Sequence, residues 1–173
     1  MIRRRWLLGL AGLACAVGSA AGAATPAADP RTVIGFADFD YLDTSGEVVD
    51  QRSRHRALVA RFGGQVRAQL AATGHYAPVG LDCAARPCSA GALTPEQLFA
   101  AAASADAELI VYGGVHKMST LVQWIRVEMV DVDRDELLMA RTLTFRGDSD
   151  LAWDRAAENV GNLLADWLAA NRP

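Results

Sequence analysis

Histidine and cysteine are scarce in this chain, three of each in 173 residues. The histidines are scattered and the cysteines too few, so neither suggests a zinc site, which needs grouped ligands. Long apolar runs are scarce as well: one lies at the N terminus and none follows, so no transmembrane segment is expected past it. Internal repeats, low-complexity blocks and a second linker are missing, which leaves a single domain as the economical organisation. A basic stripe is also missing. Three of the 17 basic residues sit in the first five positions while all 20 acids lie beyond residue 23, so the remainder carries a net charge of −6. That balance disfavours nucleic acid and charge-driven membrane binding.

What is present begins with an address. Arg3, Arg4 and Arg5 precede an apolar stretch over 7–17 and small residues over 19–24, the three-part layout of a secretory signal peptide. Ala21-Gly22-Ala23 offers the cleavage site, so residues 1–23 are expected to be removed on export and the protein to be periplasmic. Acylation at Cys15 is the competing reading, although Gly12-Leu13-Ala14 lacks the usual Leu three positions upstream. Arg3-Arg4-Arg5 also bears on the route, Sec or twin-arginine. Residues 24–31, rich in Ala and Pro, read as a flexible leader before a domain over 32–170.

Within that domain the apolar run 33–39 reads as a buried strand. A polar connection over 40–51 leads to a helix over 53–73, where Leu58, Phe62, Val66 and Leu70 keep a four-residue spacing and so share one face. Gly63-Gly64 in its middle implies close packing or a bend, since each glycine costs about 1 kcal/mol of helix propensity. Residues 75–79 read as an edge strand because of Pro78. Thr94-Pro95-Glu96-Gln97 supplies a capping box for a helix to about Ser104. A continuous apolar strand over 108–115 follows. Next comes a hairpin whose first arm alternates: Ile125, Val127 and Met129 face one way, Arg126 and Glu128 the other. Trp153, Ala156, Ala157, Val160, Leu164, Trp167 and Leu168 then form a helical stripe. The order βαβαβββα implies an α/β sandwich, with helices packed on a mixed sheet.

With Cys15 removed, Cys83 and Cys88 are left flanking a proline turn, and in an oxidising compartment they read as a local disulfide. Such a short loop closes little chain entropy, so its stabilisation falls below the ~3 kcal/mol of a 15-residue loop.

Two stretches carry a resemblance. Residues 36–45, FADFDYLDTS, resemble an F-D-F-x-L-x-D-T-S signature, and residues 114–121, GVHKMSTL, resemble G-x-V-x-K-x-S-x-L. With Arg146-Gly147-Asp148-Ser149-Asp150 and Trp153 they resemble a family of secreted proteobacterial proteins known only as a domain of unknown function. The order of elements is also similar to that of the amino-terminal domain of the translocation protein TolB, of the curli secretion protein CsgG and of lipoprotein activators of peptidoglycan synthases. Those likenesses imply an envelope protein whose α/β domain binds other proteins.

The candidate site residues are few. Asp38 and Asp40, at a strand end, have the D-x-D form by which small metal-dependent phosphatases place a nucleophile and an acid, but the companion motifs are incomplete, and capping the strand end is the simpler reading. Asp40, Asp43 and Glu47 offer carboxylates for calcium at a spacing that misses the EF-hand; an Asx turn over Asp43-Thr44-Ser45-Gly46 is the simpler reading. His116, Lys117 and Ser119 follow Gly113-Gly114 on a strand end, with no orienting acid fixed by sequence, which favours a strand carrying solvent-facing polar residues. His55 reads as a helix-surface residue and His75 as a strand start. Trp124, beside Arg126, is either an interface contact or core. No catalytic set, metal or cofactor is therefore expected. The expectation is a non-enzymatic domain binding an envelope or secreted protein through Asp38, Asp40, Asp43, Ser45, Lys117, Ser119 or Trp124, with its oligomeric state left open. The competing expectation is a small hydrolase built on Asp38 and Asp40.

Overall fold

The computed structural model describes residues 31–84 and 87–171; the expected signal peptide, Cys15 and the expected leader lie outside them. The strands are β1 (Thr32–Phe36), β2 (Asp40–Asp43), β3 (Tyr76–Gly80), β4 (Leu109–Lys117), β5 (Val122–Asp131) and β6 (Glu136–Arg146). The helices are α1 (Arg52–Ala72), α2 (Pro95–Ser104) and α3 (Asp150–Asn171). One mixed sheet runs β3-β1-β4-β5-β6, parallel through β3, β1 and β4 and antiparallel from β4 to β6. Among the described residues no helix is long and apolar enough to cross a membrane.

Each periodicity finds its face. Leu58, Phe62, Val66 and Leu70 of α1 are buried, and with Trp153, Val160, Leu164 and Leu168 of α3 they cover one side of the sheet. Odd positions of β4 and β5, among them Leu109, Val111, Val115, Ile125, Val127 and Met129, fill the space beneath. On the opposite side α2 packs Leu98, Ala101 and Ala102 against Leu81, Cys88 and Ile110. The Thr94–Gln97 capping box starts α2, with both reciprocal bonds in place. Pro78 sits in β3, an edge strand.

One difference from the sequence-based order is the first strand, which breaks after Phe36. The Asp38 N–H turns to the Cys88 carbonyl (2.7 Å), and the chain resumes as β2, a ninth element pairing in parallel with the far end of β4. The segment read as a polar connection is thus partly strand. Its carboxylates hid it, because acidic residues are uncommon in strands. A disulfide joins Cys83 and Cys88 (Cα–Cα 5.4 Å) just beside this break.

The side of the sheet that α2 occupies is only half covered. α2 packs over the β1–β4 part, leaving Leu42 (β2) and Trp124 (β5) exposed, with Arg126 beside them. Register places Leu42 opposite His116, and His116 opposite Trp124, along one row of that open side.

Candidate functional site

Lys117 continues the odd, helix-facing row of β4 one step beyond Val115, where the apolar core ends. Its side chain is completely buried. A buried ammonium needs counter-charge, and two carboxylates supply it: Nζ donates to Glu47 Oε2 (2.7 Å) and to Asp148 Oδ2 (3.0 Å). Glu47 arrives from the loop after β2, steadied by Gln51, which donates to the same oxygen (2.6 Å). Asp148 arrives from the β6–α3 turn. Gly147 holds φ at +89°, a conformation glycine adopts readily, and this bends the chain so that Asp148 points back beneath the helices.

Asp148 is the hub. Its Oδ2 also meets His55 Nε2 (2.9 Å), its Oδ1 accepts from Trp153 Nε1 (3.0 Å), and Arg54 lies 3.4 Å away. Gln123, opposite Lys117 in the β4–β5 register, donates to the Gly147 carbonyl (2.8 Å) and fixes the turn. Tyr41 stacks on His55 at 4.8 Å between ring centroids. Among the described residues its hydroxyl, like His55 Nδ1 and Gln123 Oε1, is buried with no hydrogen-bond partner.

These contacts determine the charge states. Burial alone raises the Asp148 carboxyl, but the Trp153, His55 and Lys117 hydrogen bonds outweigh it and hold the group well below the usual carboxylate range. Burial works against the Lys117 ammonium too, yet Glu47 and Asp148 bring its net shift upward. Burial, reinforced by the Asp43 carboxylate, pushes the Tyr41 hydroxyl far above the ordinary phenol range. The cluster is an internally neutralised charge network. With its ammonium sealed from solvent it holds four segments together, and it offers no exposed nucleophile.

The sequence-chosen residues separate accordingly. Asp38 and Asp40 both turn to the loop beyond the disulfide: Asp38 Oδ2 accepts from the Cys88 N–H (2.9 Å), while Asp40 accepts from Ser89 Oγ (2.6 Å) and the Gly91 N–H (2.8 Å). They anchor that loop to the strand break. Asp43 accepts from the Ser45 N–H (2.9 Å) and Oγ (2.6 Å), the Asx turn that aims Glu47 inward. Asp40, Asp43 and Glu47 therefore serve three different partners and do not converge on one point. Ser119 Oγ accepts from the N–H groups of Leu121 and Val122, closing the β4–β5 turn. Trp124 is 45 % exposed.

Two expectations need correction. Lys117 does not face solvent, because its place on the β4 row puts it under α1 and α3. His55 is 1 % exposed, not a surface residue, because the first turn of α1 rests on Tyr41 and Asp148. Sequence reasoning passed over Glu47 as a Lys117 partner and missed Gln123 as a strut. A usable signal existed: Lys117 is the only lysine in the chain, beside 16 arginines. An arginine fork would not fit a compact two-carboxylate seat in the same way.

The residues quoted for the family resemblance meet at this cluster: the 43–45 turn, Lys117, Gly147-Asp148 and Trp153. A family model, DUF3280, described as a protein of unknown function (DUF2380), matches residues 32–163. The chain belongs to this family.

No curated protein matches the sequence. Solved structures share the fold of this DUF3280 member at low identity. The hypothetical protein CT253 from Chlamydia trachomatis is 12% identical, with 82% of this chain and 100% of that one covered and a TM-score of 0.56. The PelC dodecamer from Paraburkholderia phytofirmans is 13% identical over 79% and 87%, TM-score 0.52. TolB from Acinetobacter baumannii is 12% identical over 82% of this chain and 29% of its own, TM-score 0.52. These likenesses show the α/β fold.

The charge network of this family member predicts a pH profile. Asp148 is depressed when folded, so its contribution is complete above the unfolded value of about 3.9 and is lost as pH falls below that. Tyr41 and Lys117 are raised, so their contributions are complete below about 10 and are lost as pH rises further. Tm should therefore be level from about pH 5 to about pH 9 and fall on both sides. Asp148→Asn should flatten the acid limb; an unchanged limb in that variant would remove Asp148 as its source.

Proposed function

We propose that this chain is a non-enzymatic accessory domain of the cell envelope that binds another protein through the open half of its sheet. Residues 1–23 export it, 24–31 form a leader and 32–170 the binding domain. The observation that carries this reading is the side of β2, β4 and β5 that α2 leaves uncovered, where Trp124 stands 45 % exposed and Leu42 55 % exposed, with Arg126 alongside. A solvent-facing tryptophan and arginine on rigid strands are what interface anchors are made of. The sealed Lys117 network supports the same conclusion, since the chain's most elaborate polar cluster is spent on holding the fold. One similar fold, PelC, is found as a dodecamer, which agrees with a role in association.

A photo-crosslinking amino acid placed at position 124 or 42 should trap a discrete partner in cells, and one at Glu158 on the outer surface of α3 should not. Trp124→Ala should weaken the recovered complex by about 2 kcal/mol, roughly thirtyfold, with Tm nearly unchanged. Equal trapping at all three positions, or none at 124 and 42, would overturn the reading.

A further inference from the structure

The chain is net acidic, yet α1 carries five arginines and no acid over 21 residues. Arg54 and Arg61 pair with Asp148, Asp150 and Asp154 at the start of α3, and Arg52 pairs with Asp50. Arg56 and Arg67 have no hydrogen bond or ion pair among the described residues. Both line a cleft of about 600 Å³ between α1 and the β1–β2 break. Eleven residues apart, they lie within ~20° of one line along the helix and about 16 Å apart along its axis. Between them the helix floor of the cleft is apolar and mostly small, lined by Val59, Ala60, Gly63 and Gly64.

The two glycines have different reasons. A side-chain carbon at Gly63 would sit 3.4 Å from the Phe39 ring, so packing accounts for it. At Gly64 nothing lies within 4 Å. No packing in the folded chain asks for this glycine, although it costs the helix about 1 kcal/mol. Its open side belongs to the cleft. The strand wall has a matching character. β2 pairs only with β4 among the described residues, so the edge that brings Tyr41 to the cleft keeps outward backbone groups unpaired. The Asp38 and Asp40 carboxylates also line the cleft, and they accept hydrogen bonds from the Cys88 N–H and from Ser89 Oγ and the Gly91 N–H respectively.

We propose that this cleft binds an extended acidic segment of another protein, with carboxylates near its two ends received by Arg56 and Arg67. Charge complementarity selects the acid, and the free β2 edge selects a peptide backbone. About five extended residues at ~3.3 Å each span the distance between the two guanidinium-bearing turns. The small floor asks for small or apolar residues between the acids.

The test is a selection from a random dodecapeptide library on the purified exported chain, followed by affinities of the selected peptides by fluorescence anisotropy. Enriched peptides should carry two acids four to six residues apart. Arg56→Ala and Arg67→Ala should each weaken binding about tenfold, and raising salt from 50 to 300 mM should weaken it severalfold. Gly64→Leu should weaken it at least tenfold, whereas Arg61→Ala, whose partner is α3, should leave it within twofold. Gly64→Ala, which favours the helix, serves as the folding control through an unchanged or higher Tm. Enrichment of non-acidic peptides, absence of any enriched peptide, or affinities indifferent to Arg56 and Arg67 would each overturn the proposal. So would polygalacturonate binding that is lost in the same variants while no selected peptide binds, since the site would then read an acidic saccharide. Trapping at position 124 is independent of all these outcomes.

Discussion

Replacing Lys117 by Met lowers folding stability by about 3 kcal/mol, a fall of roughly 10 °C in Tm. The loss does not come from the apolar stem, whose length Met nearly matches. It comes from the two carboxylates left behind: Glu47 and Asp148 are mostly shielded from water, with side-chain exposures of 21% and 17%, and both lose their nearest cation. Asp148 keeps His55 and Arg54, so Glu47 bears more of the penalty. Combining Lys117→Met with Glu47→Gln should therefore cost less than the two single changes added together, because the second substitution removes the uncompensated charge. Denaturant melts of the four-member cycle measure this. A Lys117→Met variant within 1 kcal/mol of wild type would mean that the ammonium is not compensated inside the fold as its contacts indicate.

Lys117 also shows where reading the sequence works and where it stops. Elements that follow from periodicity were legible: the α1 stripe, the alternating β5, the α3 stripe and the Thr94 cap all depend on residues close in sequence. The local disulfide and the Asx turn at Asp43 were legible for the same reason. The charge network was not. The contacts of Lys117 with Asp148 and Glu47 and of His55 with Asp148 join residues 31, 70 and 93 positions apart, and local pattern says nothing about such distances. The same limit hid β2, whose acidic ends argue against a strand until Gly114 through Lys117 are known to lie alongside. Asp38 and Asp40 were noticed for the right reason, two carboxylates at a strand end, but the 88–91 loop that takes up their oxygens is fifty residues away. The family resemblance reached further than the pattern did. Its quoted residues come from three distant segments, and the fold gathers them around one buried lysine.

Trp153→Ala should be the most damaging single substitution in the domain, costing about 5 kcal/mol, which is the whole stability of many small proteins. Trp153 is 1 % exposed, and its ring lies 5.4 Å from Phe145 and 6.3 Å from both Phe62 and Tyr41, centroid to centroid, so truncation opens a cavity where α1, α3 and the sheet meet. The indole N–H also holds Asp148 in its charged form, and the alanine removes that as well. Trp153→Phe separates the two effects: it keeps most of the packing, loses the hydrogen bond to the carboxylate, and should cost about 2 kcal/mol. Without the indole donor the Asp148 carboxyl should rise toward its ordinary value, because the Trp153 bond is the largest of the contacts holding it down. Less of the acid-side linkage then exists, so the fall in Tm below pH 5 should be shallower in Trp153→Phe than in wild type. An acid limb of wild-type steepness in that variant would assign the depression of Asp148 to Lys117 and His55 alone, and would reduce Trp153 to a packing residue.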